Sequence, residues 1–343
     1  MTTVVNSGSL PFVHLCHLTD GRGLLEHALF DQPRLEHGYC VDDAARGLLI
    51  TAREPEPTAA VLELLQTYLW FIESAIESDG RIHNRMNAHG EWAQDAWCGD
   101  WWGRALWATG VAAVHAPQPG VRRRSLHTFG VLAGHRSSDL RPIVFAGLGA
   151  ADVLAAYPRS SPAKQLLVDA VAAASVEHSA AWPWPEPRLR YSNGSIPEVL
   201  IAAGDVRDDP VTLAHGLQLL EMLLDIETQG THLSVTGTQG RGQHERWPQF
   251  DQQPIEVAAI ADACARAYDV TGDRRWLTGV RHAWEWFMGN NDAGMAMVDT
   301  RTGAGYDGLM LSGRNHNRGA ESTLAALSTF QQAHRLLGVE VHW

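Results

Sequence analysis

Two adjacent carboxylates, Asp42 and Asp43, open an apolar helical run in "LEHGYCVDDAARGLLITA". One aspartate at a helix start is ordinary capping, since its oxygen accepts from the free amide hydrogens of the first turn. A second one leaves a carboxylate available for other work. Neighbouring helical residues point about 100° apart, so one aspartate can face a cleft while the other caps the helix or pairs with Arg46, three or four residues on. A third carboxylate, Glu256, stands at another helix start in "FDQQPIEVAAIADA", where Pro254 suits the first turn. Glycoside hydrolysis needs two such groups on opposite sides of the scissile bond. One protonates the leaving oxygen, while the other activates water or attacks the anomeric carbon. Asp42, Asp43 and Glu256 are therefore the candidate catalytic residues.

Thirteen tryptophans are the second signal. Trp101 and Trp102 lie in "GDWWGRALWATG", Trp184 in "AWPWPEPRLRYSNGSIPEVL" and Trp247 in "QHERWPQFDQQ". Tryptophans fill large cores, yet these stand beside Gly, Pro, Asp, Arg and Asn at predicted loop–helix junctions. Flat aromatic faces next to hydrogen-bonding groups suit a sugar. Candidate sugar-binding residues from the same junctions are His37, Tyr39, Arg46, Asp100, Trp101, Trp102, Trp184, Tyr191, Asn193, Glu198, Trp247, Gln253, Asn317 and Glu321. Polar caps explain any one of these junctions singly. Together they suggest several helix starts facing one opening.

What must position them is helical. Apolar residues recur at three- and four-residue spacing near 9–18, 41–53, 58–78, 101–115, 124–134, 143–157, 163–179, 195–204, 210–228, 253–271, 274–289 and 319–337. Pro- and Gly-rich loops such as "HAPQPG" and "AWPWPEPR" separate them. Residues 79–92 alternate like a small hairpin, and "HLSVTG" is a weaker strand candidate. No βαβ alternation and no linker appear, so one all-α domain over residues 1–343 is expected. Six antiparallel helix pairs of this length can close into an (α/α)6 toroid, with open solenoids or bundles as alternatives.

Composition excludes several function classes. The formal net charge of −12 over 343 residues, without a long basic run, disfavours nucleic acid, anionic glycans and anionic membranes as partners. A neutral oligo- or polysaccharide fits. The four cysteines show no CxxC, and no HxH or HExxH occurs, so neither a metal nor another cofactor is expected. "GTQGRGQH" lacks the strand and the GK[ST] ending of a phosphate loop. The N-terminal residues show no basic segment followed by a long apolar run, and no stretch approaches about 18 apolar residues, so a cytoplasmic protein is expected.

"HGYCVDDAAR", "GDWWGRALWATG", "YSNGSIPEVLIAAG", "QQPIEVAAIADACARAYDVTGDRRWL" and "NRGAEST" occur in order across nearly the whole chain. The set resembles bacterial (α/α)6-toroid proteins often found with glycosyltransferases, and more closely the actinobacterial endomannosidases that hydrolyse methylmannose polysaccharides. The resemblance implies an α-1,4-endomannosidase acting with inversion on a cytoplasmic, partly 3-O-methylated mannan. It carries the acidic residues of "VDD" and "PIEV" over as catalytic groups. Many relatives read "DDNAR", whereas Ala44 stands here in place of the Asn. The residues leave two rivals open. One is a sugar epimerase or isomerase shuttling a proton through His37, His244 or His316; the other is a non-catalytic glycan-binding protein.

Overall fold

A computed structural model describes residue 8 and residues 10–93, 95–179, 181–245 and 248–341. Twelve helices occur among the described residues: α1 (Val13–Leu18), α2 (Val41–Arg53), α3 (Ala59–Ser74), α4 (Asp100–His115), α5 (Pro119–Leu132), α6 (Leu140–Ala156), α7 (Ser161–Ala174), α8 (Ser195–Val206), α9 (Pro210–Glu227), α10 (Pro254–Thr271), α11 (Trp276–Phe287) and α12 (Ala320–Leu337). The even-numbered helices form an inner ring. Each packs on the next, α2 on α4, α4 on α6, α6 on α8, α8 on α10 and α10 on α12, and α12 returns to α2. The odd-numbered helices lie outside them, with short α1 against α12.

Burial explains the two rings. Residues 102–113 of α4 and 141–154 of α6 are buried on every side, as expected of helices enclosed by others. Side chains small enough for close packing are required where these two helices cross. A Cβ on Gly110 would lie 2.5 Å from the Gly149 carbonyl oxygen, and one on Gly149 would lie 2.2 Å from that of Leu106. Either substitution would force the backbones apart.

Connections differ sharply between the two ends of the ring. Inner helices pass to outer ones through the short turns 54–58, 116–118, 157–160, 207–209 and 272–275. Five of the six returns from outer to inner helices are long loops, at 19–40, 75–99, 175–194, 228–253 and 288–319, while α5 returns to α6 through the shorter 133–139. Those loops carry five two-stranded antiparallel ribbons: β1 (Ala28–Leu29) with β2 (Gln32–Pro33), β3 (Tyr39–Cys40) with β4 (Arg85–Met86), β5 (Thr228–Gln229) with β6 (His232–Leu233), β7 (Val298–Asp299) with β8 (Ala304–Gly305), and β9 (Leu309–Met310) with β10 (Gly313–Arg314). Long loops and the N-termini of all inner helices therefore share one end. A site belongs there.

The expected hairpin at 79–92 is corrected in one respect. Strand β4 pairs with β3, ahead of α2, in addition to a single Met86–Trp92 bridge. The loop before α4 is thereby tied to the loop before α2. No described helix is long and apolar enough to cross a membrane.

Candidate active site

Five of the six inner helices carry a carboxylate in their first turn: Asp42 and Asp43 on α2, Asp100 on α4, Glu198 on α8, Glu256 on α10 and Glu321 on α12. Negative charge is favoured there by the partial positive charge of a helix start. Neither aspartate of α2 is the N-cap. Cys40 fills that position, its Sγ accepting from the Asp43 amide at 3.4 Å.

Arg46 joins the group across the ring. Its Nη1 lies 2.7 Å from Asp42 Oδ2 and 2.7 Å from Asp43 Oδ1, and its Nη2 lies 2.7 Å from Glu321 Oε2. Asp42 also meets Arg104 Nε of α4 at 3.0 Å. Thus Glu321 reaches α2 instead of bonding back into its own helix start. The two aspartates face different surroundings. The Asp42 side chain is 21% exposed and that of Asp43 only 4%. Burial would raise Asp42, but Arg46 and Arg104 outweigh it and hold the carboxyl below its ordinary value. For Asp43, burial outweighs Arg46 and, with Asp42 and Glu321 adding repulsion, pushes the carboxyl up to about 7. Asp42 is the reachable, ionised carboxylate. Asp43 is held beneath it by Arg46 and by the Cys40 thiol, which donates at 3.2 Å.

Glu256 is 3% exposed and lies under the segment before α8. The Ser192 amide donates to Oε1, while the Asn193 amide (3.1 Å) and Nδ2 (2.8 Å) donate to Oε2. Burial, aided by the charge of Glu227, raises its carboxyl to about 7 despite these donors. Trp247 lies outside the described residues. A cavity of about 40 Å3 lies among the inner helices, lined mostly by apolar residues of α2, α10 and α12. Arg46 and Arg104, the partners of Asp42, and Ser192, the partner of Glu256, are among its lining residues.

Tyr191, in the loop before α8, bridges to the first turn of α4. Its hydroxyl donates to Asp100 Oδ2 at 2.7 Å, and Arg141 lies over its ring at 5.2 Å and bonds its carbonyl at 2.6 Å. Burial raises the Asp100 carboxyl. Asp42, Asp100, Arg46, Arg104, Tyr191 and Glu321 are thus brought together; Asn193 and Glu256 lie one layer behind them. Arg104 and Arg141 were not anticipated.

Several expected sugar contacts are corrected. Trp102 and Trp184 are fully buried, and the Trp102 indole donates to the Leu132 carbonyl at 3.0 Å, so neither presents a face to the opening. Tyr39 is buried and donates to Asp20 Oδ2 at 2.6 Å. Glu198 turns away from the opening into a buried ionic network with Arg266 (3.8 Å), Asp262 and Arg53; burial pushes it up to about 8. Trp101 is half-buried, its indole donating to Ile82 O at 2.8 Å. Asn317 spends its Oδ1 on the Phe30 amide. Gln253 is half-buried at the N-cap of α10, and His37 is exposed, edge-on to His27 at 5.0 Å.

Glu26, Cys40 and Asp43 bring potential ligand atoms within 4.8 Å of one another. Arg85 holds Glu26 (Nη2 to Oε1, 2.7 Å), Arg46 holds Asp43, and burial keeps the thiol protonated.

Four buried carboxylates make folding pH-sensitive. Asp43, Glu227 and Glu256 rise to about 7 and Glu198 to about 8, from ordinary values of 3.8 and 4.5, with burial the leading cause in each. A carboxyl raised on folding contributes stability below its unfolded value, and that contribution is lost as pH climbs through the folded one. His14, His115 and His282, lowered mainly by burial, act oppositely, but this fades as pH rises above the unfolded value of 6.5, and the four carboxylates outnumber them. The melting temperature is therefore expected to fall between pH 6.5 and 8.5 at fixed ionic strength. A flat or rising profile would contradict these assignments.

No family model matches the sequence, and no curated protein does. Solved structures do match in shape. A sugar epimerase from a ruminal bacterium is 12% identical, with 95% of this chain and 96% of that one covered at a TM-score of 0.72. Cellobiose 2-epimerase from Spirochaeta thermophila is also 12% identical, with 94% and 93% covered at 0.68. A GH76 alpha-mannanase from Bacteroides thetaiotaomicron is 10% identical, with 88% of each chain covered at 0.61. The fold is an (α/α)6 toroid. At such identities the likeness extends to the fold, which hosts more than one chemistry.

Proposed function

We propose that the chain is a glycoside hydrolase, an endo-acting α-1,4-mannosidase cleaving a methylmannose polysaccharide, with one catalytic domain over residues 1–343. The observation that carries the reading is a pair of carboxylates on first turns of the inner ring with their pKa values pushed apart: Asp42 held ionised by two arginines, and Glu256 raised to about 7. Separation of this kind is how two carboxyl groups divide base and acid roles. In the proposed reaction Asp42 takes a proton from water as its oxygen attacks the anomeric carbon. The carbon–oxygen bond to the leaving sugar breaks, and Glu256 delivers its proton to that oxygen. One displacement inverts the anomeric configuration. Because Ser192 and Asn193 cover Glu256, proton delivery requires the Tyr191–Asn193 segment to turn aside as substrate enters.

The acidic surface suits an uncharged substrate, and the apolar cavity walls suit O-methyl groups. The family resemblance supplies the mannan, its linkage and a cytoplasmic setting. The sugar epimerases of like fold support a second reading, proton transfer at C2 of a reducing sugar. Against it, no histidine stands in the first turn of any inner helix; His37, His244 and His316 all lie in the loops that precede those helices. Incubation with α-1,4-mannan, its methylated form and free reducing disaccharides separates the two. New reducing ends from the mannans are expected. C2-inverted disaccharide without chain cleavage would replace the hydrolase with the epimerase.

A further inference from the structure

Strands β1 and β2 are joined by two residues, Phe30 and Asp31. Two-residue hairpins need a positive φ at the first of the two, which is why Gly and Asn usually fill that place. Phe30 has φ +53°. A bulky side chain held in this region is unfavourable, and burial of the ring does not offset it, because Phe30 is 57% exposed. The backbone is fixed by the loop before α12. The Phe30 amide donates to Asn317 Oδ1 at 3.0 Å, and its carbonyl accepts from the Arg318 amide at 2.8 Å.

This turn stands beside the carboxylate cluster. The Glu26 carbonyl, four residues earlier, accepts from the amide of Ala320 at 3.1 Å. The next residue, Glu321, bonds Arg46. Leu29 and Leu35 of the same loop are also exposed, at 53% and 49%. An unfavourable conformation that presents an aromatic ring to solvent at the rim of a polar cleft points to a ligand with an apolar face.

We propose that Phe30 is a stacking platform at the rim, binding one sugar unit of a neutral oligosaccharide beyond the unit over Asp42. The choice of oligomannoside rests on the hydrolase reading; the platform itself does not. Phe30→Asn and Phe30→Gly both suit the turn, so melting temperature is expected to hold or rise. In an Asp42→Asn background, affinity for α-1,4-mannopentaose measured by titration calorimetry should fall about five- to tenfold, with mannobiose affinity little changed. Pentaose affinity unchanged from the parent in both variants overturns the platform, as does a melting temperature several degrees lower, which would make the ring a packing element. Loss by the two variants of a dimer formed by the parent would also overturn it. If mannans are cleaved yet pentaose binding ignores Phe30, the platform fails and the hydrolase stands. If no mannan is cleaved but a neutral glycan binds through Phe30, the reverse holds.

Discussion

Glu256→Gln is expected to reduce kcat on mannan by about 10^3-fold, the range set by loss of general acid catalysis. The amide keeps the shape of the carboxyl but has no proton to deliver to the leaving oxygen. It also places an NH2 near two backbone amides and Asn193 Nδ2, which now donate to the carboxylate. One oxygen remains to accept, so some loosening of the Ser192–Asn193 segment should accompany the change. Two further measurements make the result specific. Activity toward an aryl α-mannoside with a very acidic phenol as leaving group should recover most of the loss, because that group departs unprotonated. Asp42→Asn should lose activity to a similar degree on both substrates, since water activation precedes either departure. Wild-type kcat in Glu256→Gln would remove Glu256 from the chemistry. Equal loss on both substrates would make it a structural residue.

The second large effect concerns stability. Arg46→Met preserves much of the apolar stem but removes the cation shared by Asp42, Asp43 and Glu321. Breaking a buried ion pair from one side costs about 3–5 kcal/mol, because the remaining charge is left without compensation. Two relaxations moderate the loss here. Glu321, with its side chain 40% exposed, can turn to water, and Asp42 retains Arg104. Asp43 cannot turn out, and loss of Arg46 should drive its carboxyl above the present value of about 7. A destabilisation near 3 kcal/mol in urea unfolding is therefore expected. Arg46→Met combined with Asp43→Asn should recover part of it, since the amide is neutral without the proton that a buried Asp43 must take up once Arg46 is gone. No recovery in the double variant would show that Asp43 carries little of the cost.

Periodicity made the helices legible because the inner ones are apolar around most of their circumference and the outer ones along a stripe. The pairing of Arg46 with one of Asp42 and Asp43 could be read from three- and four-residue spacing within α2, but not that it holds both while Cys40 caps the helix. Its contact with Glu321 and the role of Arg104 could not, since those residues arrive from α12 and α4 through ring closure. The tryptophans misled for a related reason. Trp101 and Trp102 are adjacent in a polar-looking sequence, yet the 100° step between helical neighbours leaves the first half-buried and sends the second wholly into the core between α4 and α5. Asn193 was expected to meet sugar; it meets Glu256, a partner 63 positions away. The hairpin at Phe30 was invisible because "LFDQ" lacks the Asn-Gly or Asp-Gly signature, and the conformation that sets Phe30 apart exists only once Asn317 and Arg318 are in place.

Proton NMR of α-1,4-mannan treated with the protein, recorded from the first minutes before mutarotation, tests the division of labour between Asp42 and Glu256 most directly. The prediction is a new reducing end that appears first as the β-anomer and equilibrates later. Initial release of the α-anomer would require a covalent intermediate and contradict the assignment of Asp42 as base; an unchanged polymer would contradict the hydrolase itself.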